Sequence, residues 1–119
     1  MLWTRRKKLA RGSGATVAAT GAEDVVTDGT GAVRISNGHP LLARITGSGC
    51  MATAVVAAAM AVEPDPFAAA VMGLLCFEIA AELAAARAGG PGTFRAELMD
   101  AIAGLDGAVV ARRARVAPA

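Results

Sequence analysis

The sequence predicts an α/β fold in which a few strands are followed by three helices. Short β-tolerant runs, separated by turns rich in Gly and Asp, occupy residues 15–36, and this pattern is typical of strands. Two apolar runs, Met51–Val62 and Phe67–Phe77, follow them and are separated by Glu63–Pro66. Apolar runs between turn signals predict helices that pack against a sheet. With 119 residues, the chain is long enough for a single domain with a hydrophobic core.

The strands are predicted from short apolar segments and the turns between them. Residues 15–19 predict a short buried strand because they are small and β-tolerant,. After a turn at Thr20–Asp24, the segments Val25–Thr27 and Ala32–Ser36 predict two further strands. Asp28–Gly31 joins these two strands and contains the Asp-Gly pair that favours a tight hairpin,.

Two long helices are predicted from the apolar runs and the signals at their ends. The first covers Gly49–Val62, and because it is apolar on nearly all sides we expect it in the centre of the molecule,. Asp65-Pro66 is typical of an N-cap followed by the first helical residue, so the second helix begins there,. That helix is predicted to run to about Arg87 or Ala88 and to end in a left-handed cap at Gly89-Gly90,.

The two ends of the chain are predicted from weaker signals. A basic helix is predicted over residues 2–10, ahead of the first strand. The last helix is expected from Thr93, as its cap, to about Leu105,. We expect the tail, residues 106–119, to be loosely ordered.

Charge and cysteine content exclude several classes of protein. A net charge of +2 gives no electrostatic reason to expect a nucleic-acid partner. Each apolar run is shorter than the ~20 residues that span a bilayer, so no membrane partner is expected. The basic N-terminus is not followed by an apolar signal core, which predicts a cytoplasmic protein. Cys50 and Cys76 lack metal-ligand spacing, so we expect reduced thiols and no metal site,.

The most informative stretch of the sequence is Asn37–Cys50. It contains a Gly-rich turn that leads into the first long apolar helix. Backbone N–H groups at such a turn point in front of the helix N-terminus, where the helix dipole also favours negative charge. The stretch therefore predicts an anion site, such as a phosphate cradle, with the Cys50 side chain beside it.

Several segments of the chain resemble one protein family. Asn37–Pro40, together with Thr46–Cys50, is similar to the signature of hydroxyethylthiazole kinases, which have the ribokinase-like fold. Ala19–Gly29 is similar to the strand–turn–strand that precedes that signature, while Glu82–Ala88 and Gly89–Phe94 are similar to the late helices and the turn joining them. The segments keep the family's order. The resemblance covers about residues 9–105.

The resemblance implies a fold, a reaction and cofactors. The fold would be part of a ribokinase-like three-layer sandwich. The reaction would transfer the γ-phosphate of ATP to the hydroxyl of 4-methyl-5-(2-hydroxyethyl)thiazole, for thiamine biosynthesis or salvage. ATP and Mg²⁺ would both be needed, since Mg²⁺ bridges the phosphates of the nucleotide.

Cys50 is the catalytic residue that the resemblance implies. In thiazole kinases a cysteine stands where the wider fold usually carries an aspartate that accepts the proton of the substrate hydroxyl. A thiolate can accept a proton in the same way. The alternative is a small buried thiol that packs the start of the helix.

The resemblance also implies residues that bind the nucleotide and the substrate. Thr20 corresponds to a threonine that contacts ATP, and Gly21 permits the close turn beside it. Gly47 and Gly49 would let the backbone approach a phosphate, and Gly47 would also touch the thiazole. Thr46 would donate its hydroxyl either to phosphate or to the turn.

The chain departs from the family's pattern at two positions near these residues. Ala22 replaces a glutamate that is usual in the family, although Glu23 follows at once. Ser48 replaces the threonine that often stands between the two glycines. The other acidic residues are given structural roles: Asp24 and Asp28 as turn formers, and Glu78 and Glu82 as exposed or interfacial residues.

The length of the chain leaves three functional hypotheses. Members of the family are longer, and the whole chain, residues 1–119, would be a C-terminal fragment of their kinase domain. It would then belong to a working kinase, either as a homo-oligomer such as the family's trimer or with a complementing N-terminal half. It would otherwise be a non-catalytic remnant that binds nucleotide. The third hypothesis is a small Cys-dependent acyl-transfer enzyme. A Cys–His pair of Cys50 with His39 is conceivable from composition, but we expect His39 to shape the loop before Pro40.

Overall fold

The computed structural model describes residues 2–119. The first half of the chain contains one helix and three strands: α1 (Leu2–Ser13), β1 (Val17–Ala19), β2 (Asp24–Thr27) and β3 (Ala32–Ile35). A 3₁₀ helix follows at Pro40–Arg44. The second half is mainly helical and consists of α2 (Ser48–Met60), α3 (Pro66–Arg87), α4 (Pro91–Ala103), α5 (Gly107–Arg113) and a final strand, β4 (Val116–Pro118).

The strands form one antiparallel sheet in the order β1-β2-β3-β4. The predicted hairpin between β2 and β3 is confirmed. Asp28 Oδ1 accepts hydrogen bonds from the backbone N–H groups of Thr30 and Gly31, both at 2.8 Å, and these bonds lower the pKa of Asp28. Gly29 has a φ of 95°, a conformation that favours glycine in a tight turn.

The sheet lies between two helical layers. α1 contacts β1 and β2, whereas α3 contacts β2 and β3. All four residues of β2 are buried, which requires cover on both faces because side chains alternate along a strand. The predicted α/β sandwich is therefore confirmed. β1 is only half-buried, contrary to the buried strand expected there, because it lies at the edge of the sheet.

α3 is the central helix, and the prediction that the first long helix, α2, would be central is wrong. Eleven residues of α3 are buried, whereas Ala52 is the only buried residue of α2. α2 packs along one side against α3, where Gly73 brings the two backbones together at Val56. The opposite side of α2 faces solvent in the described chain, and Met60 is 55% exposed.

The predicted helix ends are partly correct. Asp65 caps α3 as expected, and its Oδ1 accepts from the Phe67 N–H at 3.1 Å. The left-handed cap at Gly89-Gly90 is wrong, since Ala88 ends α3 in an extended conformation and Gly90 has a φ of 171°. Thr93 does cap the next helix, but from inside it: Thr93 Oγ1 accepts from the N–H groups of Gly89 and Gly90, so α4 begins at Pro91.

The tail, expected to be loosely ordered, contains a helix and a strand, so one more helix follows the three predicted ones. Asp106 caps α5 by accepting from the Val109 N–H at 2.9 Å, so a fourth helix follows. β4 then pairs with β3. The tail is ordered because its backbone completes the hydrogen bonding of an otherwise open sheet edge.

α3 is long and apolar enough to cross a membrane by length and composition. The expectation that no apolar segment reaches this length is therefore wrong, because the helix continues beyond Phe77 to Arg87 and spans 22 residues. Within its most apolar window, 61% of the residues are buried inside the protein. Such burial is characteristic of the core helix of a soluble protein.

Candidate functional site

A cavity of about 560 Å³ opens beside the N-terminus of α2. Cavities of this volume are typical of small-molecule sites. Residues from four parts of the chain form its wall: Thr20–Ala22, Ser36–Pro40, Leu42, Ala43, Ser48, Gly49, Ala52, Phe77 and Glu78. The turn after β1, the loop after β3, the start of α2 and the middle of α3 therefore meet at one place.

The N-terminus of α2 has no side-chain cap. Its N-cap, Gly47, has φ 87° and ψ 10° in the left-handed region, which suits glycine. The first hydrogen bond to the N-cap carbonyl comes from the Met51 N–H at 2.9 Å. The earlier N–H groups, those of Ser48, Gly49 and Cys50, precede the intrahelical ladder and are available to an outside acceptor. Ser48 and Gly49 face the cavity.

The structure brings some of the predicted site residues to the cavity but not others. Thr20, Gly21 and Gly49 form part of its wall. Thr46, Gly47 and Cys50 do not belong to the wall and are exposed. Cys50 is the third residue of α2, so it lies next to the cavity-lining Ser48 and Gly49, and its thiol is free.

The turn before α2 is held in place by a residue of α4. Arg95 Nη1 donates a hydrogen bond to the Thr46 carbonyl oxygen at 2.9 Å. This contact fixes the residue that precedes Gly47 and places a guanidinium near the uncapped end of α2. A positive charge at this place favours anions in the same way as the helix dipole does.

Asp24 is more than the turn former predicted from the sequence. It is 1% exposed, and its Oδ1 accepts a hydrogen bond from the Gly21 N–H at 3.1 Å. It therefore fixes the turn that carries Thr20 and Gly21 on the cavity wall. Its Oδ2 is buried without a hydrogen-bond partner in the described part of the chain, and burial raises the pKa of this carboxyl group.

Glu78 is buried, contrary to the expectation that it would be exposed or interfacial. It is 6% exposed, forms part of the cavity wall and lies beside Asp24. Burial, and next the negative charge of Asp24, raise the pKa of Glu78 to about 8. Gly38, with a φ of 120°, approaches this carboxyl group so closely that a Cβ at residue 38 would collide with it. A protonated Glu78 therefore faces the cavity at neutral pH.

Glu82, one turn further along α3, joins the loop after β3 to the tail. Glu82 Oε2 accepts from Asn37 Nδ2, from the Gly38 N–H and from Arg115 Nη2, each at 2.9 Å. Arg113 pairs with the other carboxylate oxygen at 3.6 Å. Asn37 also accepts from the Arg115 N–H at 2.7 Å and donates to the Arg113 carbonyl oxygen at 2.8 Å. The tail thus helps to fix the Asn37-Gly38 part of the cavity wall.

The remaining candidate residues have structural roles, and none of them belongs to a metal-binding cluster in the described part of the chain. His39 Nδ1 accepts from the Leu41 N–H at 3.1 Å and caps the 3₁₀ helix, which agrees with a loop-shaping role. Ala22 lies on the cavity wall, while Glu23 Oε2 accepts from Ser36 Oγ at 3.0 Å. Within residues 2–119, no three His, Cys, Asp or Glu side chains cluster as a metal site would require.

Sequence reasoning missed the acidic residues that organise the cavity. Glu78 and Glu82 are separated by four residues on an otherwise apolar helix, so they share one face. A carboxylate within a long apolar run is a signal for a buried, partnered charge. Their partners could not be identified, because Asp24, Asn37 and Arg115 are distant in the sequence.

Comparisons with known proteins point to one protein family. The model of the Hydroxyethylthiazole kinase family matches residues 2–107. The hydroxyethylthiazole kinase of Granulibacter bethesdensis is 53% identical over 107 residues, which are 90% of this chain and 39% of that protein. The enzyme of the same name from Roseiflexus sp. strain RS-1 is 48% identical over 113 residues, or 95% of this chain and 42% of that protein.

A solved structure shows the same fold. The hydroxyethylthiazole kinase from Pyrococcus horikoshii OT3 superposes with a TM-score of 0.92 and is 39% identical. The match covers 98% of this chain and 45% of the solved chain. This chain therefore spans less than half the length of the relatives that it matches, and the fold in residues 2–119 is part of a ribokinase-like fold.

Proposed function

We infer the function from one premise, which is that the chain belongs to the hydroxyethylthiazole kinase family. We propose that it carries part of the site at which ATP phosphorylates the hydroxyl of 4-methyl-5-(2-hydroxyethyl)thiazole, a step that serves thiamine biosynthesis or salvage. One observation supports this site most directly. The uncapped N-terminus of α2 opens onto the cavity together with the Thr20-Gly21 turn.

The phosphates of ATP would be bound at the start of α2. Ser48 and Gly49 lie on the cavity wall, and their N–H groups precede the intrahelical hydrogen bonds, so they would be free to donate to phosphate oxygens. Thr46 precedes this turn, and its carbonyl oxygen is held by Arg95. Thr20 and Gly21 would bind the nucleotide from the opposite wall.

Cys50 would accept the proton of the thiazole hydroxyl. As the phosphoryl group passes to the hydroxyl oxygen, the O–H bond breaks and the thiolate takes up that proton. The bond between the γ-phosphorus and the bridging oxygen breaks at the same time, and ADP leaves with that electron pair. Gly47 would contact the thiazole substrate, because the absence of a side chain at this residue leaves room for it.

Mg²⁺ fits this site only as a companion of the nucleotide. The residues of the described chain do not form an acidic cluster that would hold the ion by themselves. Ala22 offers no ligand on the cavity wall, and Glu23 is occupied by Ser36. Mg²⁺ commonly keeps several waters and binds through substrate phosphates, so it would arrive bound to ATP.

The active assembly would be larger than a single copy of this chain. The chain spans about two fifths of its curated relatives, so we expect the complete site to need either a homo-oligomer, such as a trimer, or a complementing N-terminal part. A cytoplasmic location is proposed because both cysteines are free thiols, as is usual in a reducing compartment. A nucleotide-binding remnant without turnover is the second candidate function.

Nucleotide titration tests the proposed site. MgATP added to the ¹⁵N-labelled chain should shift the amide signals of Ser48, Gly49 and Cys50 and those of the Thr20-Gly21 turn. Adenosine without phosphates should leave the α2 signals in place. If MgATP produces no change at residues 48–50, the chain has no phosphate site there and the proposal is wrong.

A second test concerns the role of Cys50. Phosphoryl transfer is measured on the chain alone and on the chain mixed with the N-terminal part of the Granulibacter relative. We expect little turnover alone and measurable turnover in the mixture. Cys50→Asp should retain more activity than Cys50→Ala, because a carboxylate also accepts a proton. Cys76→Ala on α3 is the matched control. Equal losses in the two Cys50 variants would reject the base role, and binding without turnover in every mixture would favour the remnant.

A further inference from the structure

Asp24 and Glu78 form a pair of buried acidic side chains at the cavity, with Glu78 on its wall. They come from different elements, β2 and α3, and are 1% and 6% exposed. Two ionised carboxylates in contact would repel each other and leave an oxygen without a hydrogen-bond donor. Asp24 Oδ2 is such an oxygen, since it is buried with no donor in residues 2–119. A proton on Glu78 removes both difficulties, because it can be donated to Asp24.

Each member of the pair also contacts a different part of the cavity wall. Asp24 Oδ1 holds the Gly21 N–H at 3.1 Å. The Glu78 carboxyl group lies directly against Gly38, where any side chain would collide with it. The turn after β1 and the loop after β3 are therefore joined through these two carboxyl groups, and neither turn has to contact the other.

We propose that Asp24 and Glu78 share one proton and that this hydrogen-bonded pair is a positioning device for the two turns of the cavity. The pair sets the distance between Thr20-Gly21 and Gly38, and through it the shape of the cavity. The effect on nucleotide binding rests on the proposed function, whereas the proton sharing and the coupling of the turns do not.

The other charged groups near Glu78 do not supply a cation that would replace this proton. On α3, Glu82 is itself negative and adds to the rise in the Glu78 pKa, and Arg113 and Arg115 are engaged with Glu82. α2 has no charged side chain. On α4, Arg95 donates to Thr46. His39, also on the cavity wall, is exposed, and its Nδ1 accepts from the Leu41 N–H. Arg34 on β3 and Arg44 of the 3₁₀ helix are exposed. β2 contributes Asp24, which is acidic. Because none of these groups supplies a cation to the pair, a proton has to neutralise it.

The contribution of the shared proton to stability changes with pH in a definite direction. Burial raises the pKa of Glu78 from 4.5 to about 8, so the folded chain binds more protons than the unfolded chain between these values. The stabilisation by the pair is complete below pH 4.5 and is lost as the pH rises through about 8,. Above that range two carboxylates repel each other at the cavity, and the two turns should separate.

Glu78→Gln and Glu82→Gln distinguish this pair from its neighbour on the same helix. Gln at residue 78 keeps a donor for Asp24 without a titrating proton, so the fold should be retained and the pH dependence removed. Gln at residue 82 removes the charge that Arg113 and Arg115 bind, so it should lower the melting temperature. It also removes one of the negative charges that raise the Glu78 pKa, so the titration should persist with its midpoint moved to a slightly lower pH. Glu97→Gln on α4, which is not part of the cavity wall, is the matched control.

The decisive measurement is an NMR titration of the full chain from pH 6 to pH 9.5. In the wild type and in Glu97→Gln, the amide signals of Gly21 and Gly38 should shift with one common midpoint near the Glu78 pKa of about 8. In Glu78→Gln neither signal should shift in that range. Glycine signals that do not titrate in the wild type, or that titrate unchanged in Glu78→Gln, would overturn the proposal. Glu78→Ala should separate the turns at every pH.

Nucleotide binding then separates this inference from the proposed function. If MgATP binds to the wild type, its dissociation constant should rise by up to about tenfold when the pH is raised from the midpoint to one unit above it. The dissociation constant for Glu78→Gln should not change over the same pH range. If MgATP does not bind at all, the proposed function fails, whereas the common titration of Gly21 and Gly38 still decides the pair. A dissociation constant that rises equally in the wild type and in Glu78→Gln would show that the pair does not position the site.

Discussion

The N-termini of α2 and α3 differ sharply, although both helices are apolar and rich in alanine. At α3, Asp65 Oδ1 accepts the Phe67 N–H, and Pro66 has no N–H to satisfy. At α2, Gly47 provides no side chain, and the first N–H groups open towards the cavity. A helix end that only supports the fold is closed by its own sequence. The open end of α2 is therefore the one at which we propose the phosphate site.

The two helices also differ in how deeply they are buried. α3 crosses the middle of the molecule and contacts β2, β3, α2, α4 and α5. α2 contacts mainly α3, and most of its surface faces solvent. The average hydropathy of a helix therefore does not say where it lies. The Gly73–Val56 contact fixes the position of α2, and its open N-terminus lies on the cavity wall.

Gly73→Ala should have the largest effect, because it disrupts the packing between the two helices. A Cβ at residue 73 would lie 2.6 Å from Val56 Cα, which is backbone and cannot move aside alone. Crowding of this kind costs about 3 kcal/mol, and the better helix propensity of alanine returns about 1 kcal/mol. We therefore expect a net loss of about 2 kcal/mol in the free energy of unfolding, measured by urea denaturation.

Gly92→Ala is the control for helix propensity alone. Gly92 lies in the first turn of α4, and a Cβ added there would have no neighbouring atom within 4 Å. This variant should be as stable as the wild type or slightly more stable. If Gly73→Ala behaved like Gly92→Ala, the close contact between α2 and α3 would not exist in solution.

Much of the fold follows from local signals in the sequence. Asp28-Gly29 specified the hairpin and Asp65-Pro66 the start of α3, because turn and cap residues act on their own neighbours in the chain. The position of α2 and the order of the tail could not be predicted, since both depend on distant partners. β4 becomes ordered only because β3 offers a free edge, and no feature of residues 116–118 announces this.

The candidate site shows the same division. Gly47 and Gly49 can be proposed from the sequence because backbone freedom in front of a helix is a local property, and of these two Gly49 lies on the cavity wall. Glu78 was assigned wrongly because its environment comes from Asp24 and Gly38 on other elements. Burial converts an acidic residue that looked solvated into a protonated group on the cavity wall, and only the tertiary structure contains that information.

Ser48→Asp should place a carboxylate at the first residue of α2, directly after the N-cap Gly47. A carboxylate there interacts favourably with the helix dipole and stabilises the fold by about 0.5 kcal/mol. It also occupies the place proposed for phosphate, so the dissociation constant of MgATP should rise by at least about tenfold, or about 1.4 kcal/mol. Calorimetric titration and thermal unfolding measure the two effects. Ser48→Asn is the neutral control, and unchanged affinity in Ser48→Asp would place the phosphates elsewhere.

Asp65→Ala should have the smallest effect and only on stability. The Phe67 N–H loses its side-chain acceptor, which costs about 1 kcal/mol in the free energy of unfolding. The affinity for MgATP should stay unchanged, because the cap closes a helix end that does not belong to the cavity wall. Asp106→Ala, which removes the equivalent cap of α5, should behave alike. A loss of nucleotide affinity in Asp65→Ala larger than in Asp106→Ala would mean that the start of α3 serves the site, and the contrast between the two helix ends would not hold.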